Sequence, residues 1–132
     1  MYLLDTNLCL HIIAKAPPKA LDRLLACSPD EVGISVITLG ELASGVARSQ
    51  AEEKNRRALE LFLAALQVVE FSAEAALAWG ELRAQLDSKG AEMGVLDAMI
   101  AAQALSLGAT LATSTPKAFR RIAGLKVENW AR

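Results

Sequence analysis

Short apolar runs that alternate with helical patterns are the feature that most constrains the fold of this chain. Each run is only three or four residues long, and its composition is typical of strands buried on both faces. Strands separated by helices favour a parallel sheet covered on both sides. The runs are Met1–Leu4, Val32–Ser35, Val68–Phe71, Thr110–Ala112 and, as an edge strand, Lys126–Glu128. We therefore predict an α/β fold, a three-layer α/β/α sandwich around a short parallel sheet.

Helical spacing and punctuating residues place the helices between these strands. Pro17-Pro18 breaks one helix and starts the next, and Gly90 and Gly108 end two others. Thr38 and Glu41 stand at capping-box spacing near the start of another helix. The predicted helices cover residues 7–14, 18–26, 38–48, 51–66, 73–89, 96–107 and 116–122.

Composition excludes several classes of protein. The chain has 132 residues, 53% of them hydrophobic and 22% charged, which fits a single domain over residues 1–132. A formal net charge of −1 argues against a general nucleic-acid coat. No apolar run approaches the length of a membrane span, and Asp5 comes too early for a signal peptide. We expect a cytoplasmic protein with no membrane contact.

Missing motifs exclude further chemistry. A single histidine, His11, cannot build a histidine-rich zinc site. The chain contains neither Gly-x-x-x-x-Gly-Lys-Ser/Thr nor Gly-x-Gly-x-x-Gly, the two glycine-rich motifs of nucleotide-binding folds. Its few aromatic residues do not suggest a platform for stacking bases. A response-regulator-like receiver would need an acidic pair at the first strand, and Asp5 has no acidic neighbour. A phosphatase with an aspartate nucleophile would need a second Asp where Asn7 stands.

Three acidic residues stand beside otherwise apolar segments. Asp5 follows the first predicted strand, Glu41 lies near the start of the helix after the second strand, and Asp97 begins a later helix. Ligands of open α/β sheets bind beyond the carboxyl ends of the strands, where Asp5 and Glu41 fall. Carboxylates brought together there would repel unless a hard cation neutralised them. Such a cluster would bind Mg²⁺ or Mn²⁺ and support phosphodiester chemistry.

Each acid also has an ordinary structural explanation. Asp5 could cap the first helix, and Glu41 could be the acidic member of a capping box with Thr38. Asp97 could be a first-turn acid favoured by the helix dipole. Sequence spacing alone leaves both interpretations open for each residue.

Five motifs follow one another in a specific order along the chain. They are Leu-Asp-Thr-Asn at 4–7, Ser-Val-Ile-Thr-Leu-Gly-Glu-Leu at 35–42, Gly-Val-Leu-Asp-Ala-Met-Ile-Ala-Ala-Gln-Ala at 94–104, Leu-Gly-Ala-Thr-Leu-Ala-Thr at 107–113, and, after Phe119, Gly-Leu-Lys-Val-Glu-Asn-Trp at 124–130. In this order and spacing the chain resembles the PIN domain. The resemblance is to the VapC-type ribonuclease toxins of type II toxin–antitoxin systems in particular, and it covers nearly the whole chain.

This resemblance implies an α/β/α sandwich that cleaves RNA with Mg²⁺ or Mn²⁺. The family's acids match Asp5, Glu41 and Asp97, and polar residues that flank the family site match Asn7 and Thr113. Asp5 and Asp97 would be the main metal ligands. Glu41 would orient the attacking water, accept its proton or complete the set of metal ligands.

One position departs from the family pattern. Thr115 stands where the family usually has a fourth Asp or Asn, and no Asp or Glu occurs from Ala98 to Val127. Three acids suffice for one metal ion, with Ser114 or Thr115 holding a water at the metal, but argue less well for two ions. The alternative function is therefore a PIN-fold module that binds RNA or protein with weak or no catalysis.

Substrate and partner expectations follow from charge, apolar surface and the resemblance. Lys117, Arg120 and Arg121 come directly after the fourth strand, where they would either contact RNA phosphates or form a solvated helix face. Apolar residues between 38 and 66 suggest a groove for an amphipathic antitoxin segment, although each could equally be core. The resemblance further implies a cognate antitoxin, a homodimer, and a structured or transfer RNA as the target.

Overall fold

A parallel sheet of five strands forms the centre of the molecule. The computed structural model describes residues 1–132, and its strands are β1 (Tyr2–Leu4), β2 (Val32–Ser35), β3 (Gln67–Val69), β4 (Thr110–Thr113) and β5 (Lys126–Asn129). Their spatial order is β3-β2-β1-β4-β5, and every neighbouring pair is parallel. The carboxyl ends of all five strands therefore meet at one edge of the sheet.

Seven helices cover the two faces of this sheet. They are α1 (Thr6–Ala14), α2 (Pro18–Leu25), α3 (Val36–Arg48), α4 (Glu52–Leu63), α5 (Ala73–Ser88), α6 (Val95–Leu107) and α7 (Pro116–Arg120). One apolar core packs α1 to α4 against the sheet, and a second packs α5 to α7 against the other face. Leu4 belongs to the first core and Leu3 to the second, because successive residues of a strand point to opposite faces. The predicted α/β/α sandwich with a parallel sheet is confirmed.

Two local predictions at the strand–helix junctions were wrong. The third strand spans Gln67–Val69, not 68–71, because it pairs with β2 and ends where Ser35 pairs with Val69. The capping box of Thr38 and Glu41 does not form. Strand β2 runs directly into α3, so the Ser35 hydroxyl caps the helix by accepting from the Ile37 N–H at 3.0 Å.

Several helix ends follow the predicted punctuation. Gly108 has a φ of 63° and ends α6, as a left-handed cap favours glycine. Helix α4 ends at Leu63, three residues before its predicted end at Leu66.

No helix is both long enough and apolar enough to cross a bilayer. The single-domain boundary at 1–132 stays a prediction.

Candidate active site

Asp5 lies where β1 passes into α1, and it is almost fully buried at 2% exposure. Its Oδ1 accepts from the Leu8 N–H at 2.9 Å, so the carboxylate caps α1. Its Oδ2 accepts from the Thr113 hydroxyl at 2.5 Å. Burial raises the pKa of the Asp5 carboxyl, and these two hydrogen bonds oppose that rise. The capping function predicted for Asp5 is thus real, and it leaves the second carboxylate oxygen directed at the sheet edge.

Thr113 fixes this second oxygen from the neighbouring strand. It ends β4, whose register with β1 pairs Leu4 with Ala112 and so places Thr113 beside Asp5. Its hydroxyl donates to Asp5 and accepts from the Thr115 N–H at 3.0 Å. Its carbonyl accepts from the Trp130 N–H at 3.1 Å. Thr113 is therefore held on three sides, which makes the position of the Asp5 carboxylate rigid.

Glu41 reaches the same edge from α3. Its Oε1 accepts from the Thr6 hydroxyl at 2.6 Å, and the two threonine hydroxyls of Thr6 and Thr38 lie 3.2 Å apart. Thr38 is fully buried, so this contact anchors the first turn of α1 to α3. Sequence reasoning missed Thr6, whose partner is 35 residues away. The only available signal was its place directly after Asp5.

Asp97 enters from the opposite layer, in the first turn of α6. Asp97 is exposed as a residue, but partial desolvation of its carboxyl and the charge of Glu41 raise its pKa. The charge of Asp97 in turn contributes to the raised pKa of Asp5. The three predicted acids are therefore electrostatic neighbours. None of them takes part in any of the four salt bridges of the molecule.

The remaining predicted residues lie around these acids in different environments. Asn7 is exposed on α1, and the Ser114 hydroxyl is buried without a hydrogen-bond partner. Thr115 is exposed, with its hydroxyl 3.4 Å from that of Thr113. Lys117 and Arg120 are exposed on α7. Arg121, just after α7, donates to the Glu92 carbonyl and so connects α7 to the segment before α6.

The chemistry of these donors fits a hard divalent cation. No group of three or more His, Cys, Asp or Glu side chains is arranged so that it could by itself hold a metal ion. Mg²⁺ does not need such a set, because it commonly keeps several waters and takes only one or two carboxylates. The carboxylates of Asp5, Glu41 and Asp97, none of them in a salt bridge, supply oxygen donors and negative charge, and the buried Ser114 hydroxyl has no hydrogen-bond partner. The residues present could therefore hold Mg²⁺ or Mn²⁺.

Raised pKa values at Asp5 and Asp97 predict how metal binding depends on pH. The folded carboxyls keep their protons to higher pH than those of the unfolded chain, whose values are ordinary. At a pH between the pKa of the unfolded chain and the higher pKa of the folded protein, the folded state binds more protons. The free energy of unfolding of the metal-free protein therefore falls as the pH rises through this interval. A cation must displace those protons, so its affinity should fall as pH drops through the same interval. Calorimetric titration with Mn²⁺ at several pH values checks this, and an affinity independent of pH down to the ordinary range would contradict it.

Comparison with known proteins identifies relatives over the whole chain. The PIN domain family model matches residues 2–125. Ribonuclease VapC2 of Rickettsia felis is 40% identical, with 98% of each chain covered. The tRNA(fMet)-specific endonuclease VapC of Shigella flexneri is 35% identical, again with 98% of each chain covered.

Solved structures give the same result. A VapBC2 complex from Rickettsia felis bound to a DNA fragment of its promoter contains a chain with a TM-score of 0.92 and 39% identity, covering 98% of each chain. The VapBC-1 structure from nontypeable Haemophilus influenzae gives a TM-score of 0.89 at 33% identity, covering 99% of this chain and 98% of the other.

Proposed function

Since this chain belongs to the PIN domain family and is a VapC-type ribonuclease toxin, we propose that it hydrolyses RNA phosphodiester bonds with Mg²⁺ or Mn²⁺ held at the carboxyl edge of the sheet. The observation that carries this proposal is that the charges of Asp97 and Glu41 act on Asp5 and Asp97, respectively, while none of the three acids forms a salt bridge. We also propose that the protein acts in the cytoplasm.

Each acid has a distinct function in this proposal. Asp5 and Asp97 would hold the metal ion, and the hydrogen bond from Thr113 keeps the Asp5 carboxylate oriented. A bound divalent ion would supply positive charge that activates water and offsets charge growing on the phosphoryl oxygens. Glu41, oriented by the Thr6 hydroxyl, either accepts the proton of the attacking water or completes the ligand set.

Substrate binding requires positive charge beside these acids. Lys117 and Arg120 are exposed on α7, directly after the strand that carries Thr113. We assign them, with Arg121, to contacts with RNA phosphates. The name of the Shigella relative, a tRNA(fMet)-specific endonuclease, supports transfer RNA as the class of substrate to test first.

The direct test is incubation of the purified, antitoxin-free chain with bulk transfer RNA and Mg²⁺ or Mn²⁺, with and without chelator. Discrete fragments that need the metal are the expected result, and they would show that Thr115 does not abolish catalysis. RNA or metal binding without cleavage would favour the alternative, a binding module with weak or no catalysis. In that case the absence of an Asp or Asn at position 115 would prevent the binding of a second metal ion. If the chain neither binds nor cleaves RNA and binds no metal, the three acids are structural only, with Asp5 as the cap of α1.

A cognate antitoxin is the proposed protein partner, because solved relatives are VapBC complexes. We propose that the antitoxin binds in an apolar groove between α1, α3 and α4. The lining of this groove includes Leu10, Ile13, Ala14, Leu42, Val46 and Leu59. Leu42 and Leu59 are mainly core, since both are buried, whereas Val46 is only partly buried and Leu10 is 51% exposed. An amphipathic segment could cover this groove and direct an Arg or Lys to the acids, where it would displace the metal.

Ala14→Glu should weaken antitoxin binding at least tenfold, because it places a charge in the apolar groove. Ala14 is exposed on α1, so the toxin itself should still fold. Ala47→Glu is the matched control, since Ala47 is exposed on α3 outside the groove. Calorimetry with the co-encoded antitoxin provides the measurement, and equal affinities for the two variants would exclude this groove. The homodimer expected from the resemblance stays a prediction, tested by light scattering on the same samples.

A further inference from the structure

A second groove opens from the acidic cluster and follows the exposed side of α3. Its lining comes from α1, α3 and the start of α6 and comprises Thr6, Asn7, Leu10, Val36, Ile37, Gly40, Glu41, Ser44, Arg48 and Leu96. Of the three acids, Glu41 lies in this lining. Arg48 is the only basic residue in this lining, which also contains four apolar side chains, Leu10, Val36, Ile37 and Leu96.

Arg48 differs from most other arginines of the chain in having no carboxylate partner. Arg23, Arg56, Arg57 and Arg83 each form a salt bridge with an Asp or Glu. Arg48 is exposed, and its Nε donates to the Ser44 carbonyl at 3.3 Å. That bond leaves the two terminal nitrogens of the guanidinium free, and these are the donors that bind phosphate oxygens in a bidentate manner.

Arg48 lies two helical turns from Glu41 on α3, away from the proposed point of cleavage. It follows Glu41 by seven residues, which is two turns of α3 or about 10 Å along the axis. Arg48 is therefore too far along the groove to bind the phosphate under attack at the acids. Leu10 and Leu96, at 51% and 41% exposure, contribute apolar surface to the lining of the same groove.

We propose that this groove holds the RNA strand next to the cleaved bond, with Arg48 bound to a neighbouring, uncleaved phosphate. The apolar walls would contact ribose and base faces, and the Asn7 amide would offer hydrogen bonds to sugar or base edges. Charge favours this occupant, because a polyanion that places one phosphate at a metal needs a cation for the next ones. The inference rests on the proposed nuclease function. It gives the path that the RNA strand follows from the cleaved bond across the protein surface.

Arg48→Ala tests this inference against Arg57→Ala, which removes the same charge from an exposed site on α4 outside the groove. Cleavage of bulk transfer RNA is followed for each at several salt concentrations. For Arg48→Ala we expect KM to rise roughly three- to tenfold at unchanged kcat. The slope of log(1/KM) against log salt should become shallower by about 0.7, the value of one released counterion on a single strand. Arg48→Lys should restore most of the slope, and Mn²⁺ affinity by calorimetry should not change in any variant.

Several outcomes would overturn the inference. Arg48 also ends α3, where a cation stabilises the helix dipole. If that is its whole effect, Arg48→Ala lowers the Tm but leaves KM and the salt slope equal to those of Arg57→Ala. Loss of antitoxin binding at unchanged KM would instead make this groove a protein-binding surface.

The result can be separated from failure of the proposed function. If the wild-type chain binds transfer RNA without cleaving it, the same salt series is measured on binding by fluorescence anisotropy. A shallower slope for Arg48→Ala would then keep the RNA groove and reject the nuclease. Cleavage by the wild-type chain with no difference between the two Arg variants would keep the nuclease and reject the groove.

Discussion

Asp97→Asn is expected to reduce metal-dependent RNA cleavage at least about a hundredfold while the protein stays folded. Asparagine keeps the shape of the side chain and removes the charge that attracts a divalent ion. The Asp97 carboxylate takes part in no salt bridge, and Glu41 already opposes its ionisation. Loss of the charge therefore relieves repulsion with Glu41 and costs little stability.

Asp22→Asn is the matched control for this variant, because Asp22 is an exposed acid on α2. The measurements are kcat/KM with Mg²⁺ and the affinity for Mn²⁺ by calorimetry. Asp97→Asn should lower both, and Asp22→Asn should change neither. Cleavage by Asp97→Asn within tenfold of wild type would show that Asp97 is a first-turn acid without catalytic function.

Trp130→Ala should lower the free energy of unfolding by about 3–5 kcal/mol, a large part of the roughly 5–15 kcal/mol of a small domain. Trp130 is fully buried, at 0% exposure, just after β5. Its ring packs edge-on against Tyr2 with centroids 5.1 Å apart, and the Arg23 guanidinium lies 5.0 Å from the ring centre. Its indole N–H donates to Glu128 at 3.2 Å.

The substitution removes the side chain and keeps the main-chain contact with the active site. The backbone N–H of Trp130, which alanine also has, donates to the Thr113 carbonyl, and the Thr113 hydroxyl still donates to Asp5. Urea unfolding monitored by circular dichroism gives the stability. Trp130→Phe is the control, since it keeps most of the apolar contact and should lose about 1–2 kcal/mol with the indole hydrogen bond. Equal urea midpoints for Trp130→Ala and wild type would show that this residue does not stabilise the sheet edge.

Local sequence patterns were sufficient for most of the architecture. Strand β2 falls on the predicted Val32–Ser35, because it is a short apolar run between a turn and a helix. Gly108 ends α6 as predicted, since its positive φ favours a residue without a side chain. Each of these features depends on neighbours in sequence.

Details that depend on distant residues were not predictable in this way. Ser35, not Thr38, caps α3, because β2 and α3 join without a loop and sheet pairing fixes where the strand ends. The bond between Thr6 and Glu41 joins residues from two helices and has no local signature. The proximity of Asp97 to the other acids requires α6 to cross to the same edge from the opposite layer, a packing outcome that helical periodicity does not encode.

Crystallography of the protein soaked in Mn²⁺ tests the central claim most directly, because anomalous scattering locates the ion without any assumption about substrate. We predict an anomalous peak bound by Asp5 and Asp97 at the carboxyl edge of the sheet, with Glu41 beside it and the hydrogen bond from Thr113 to Asp5 retained. A peak elsewhere, or none at a Mn²⁺ concentration that supports RNA cleavage, would contradict a metal-dependent site built on these acids.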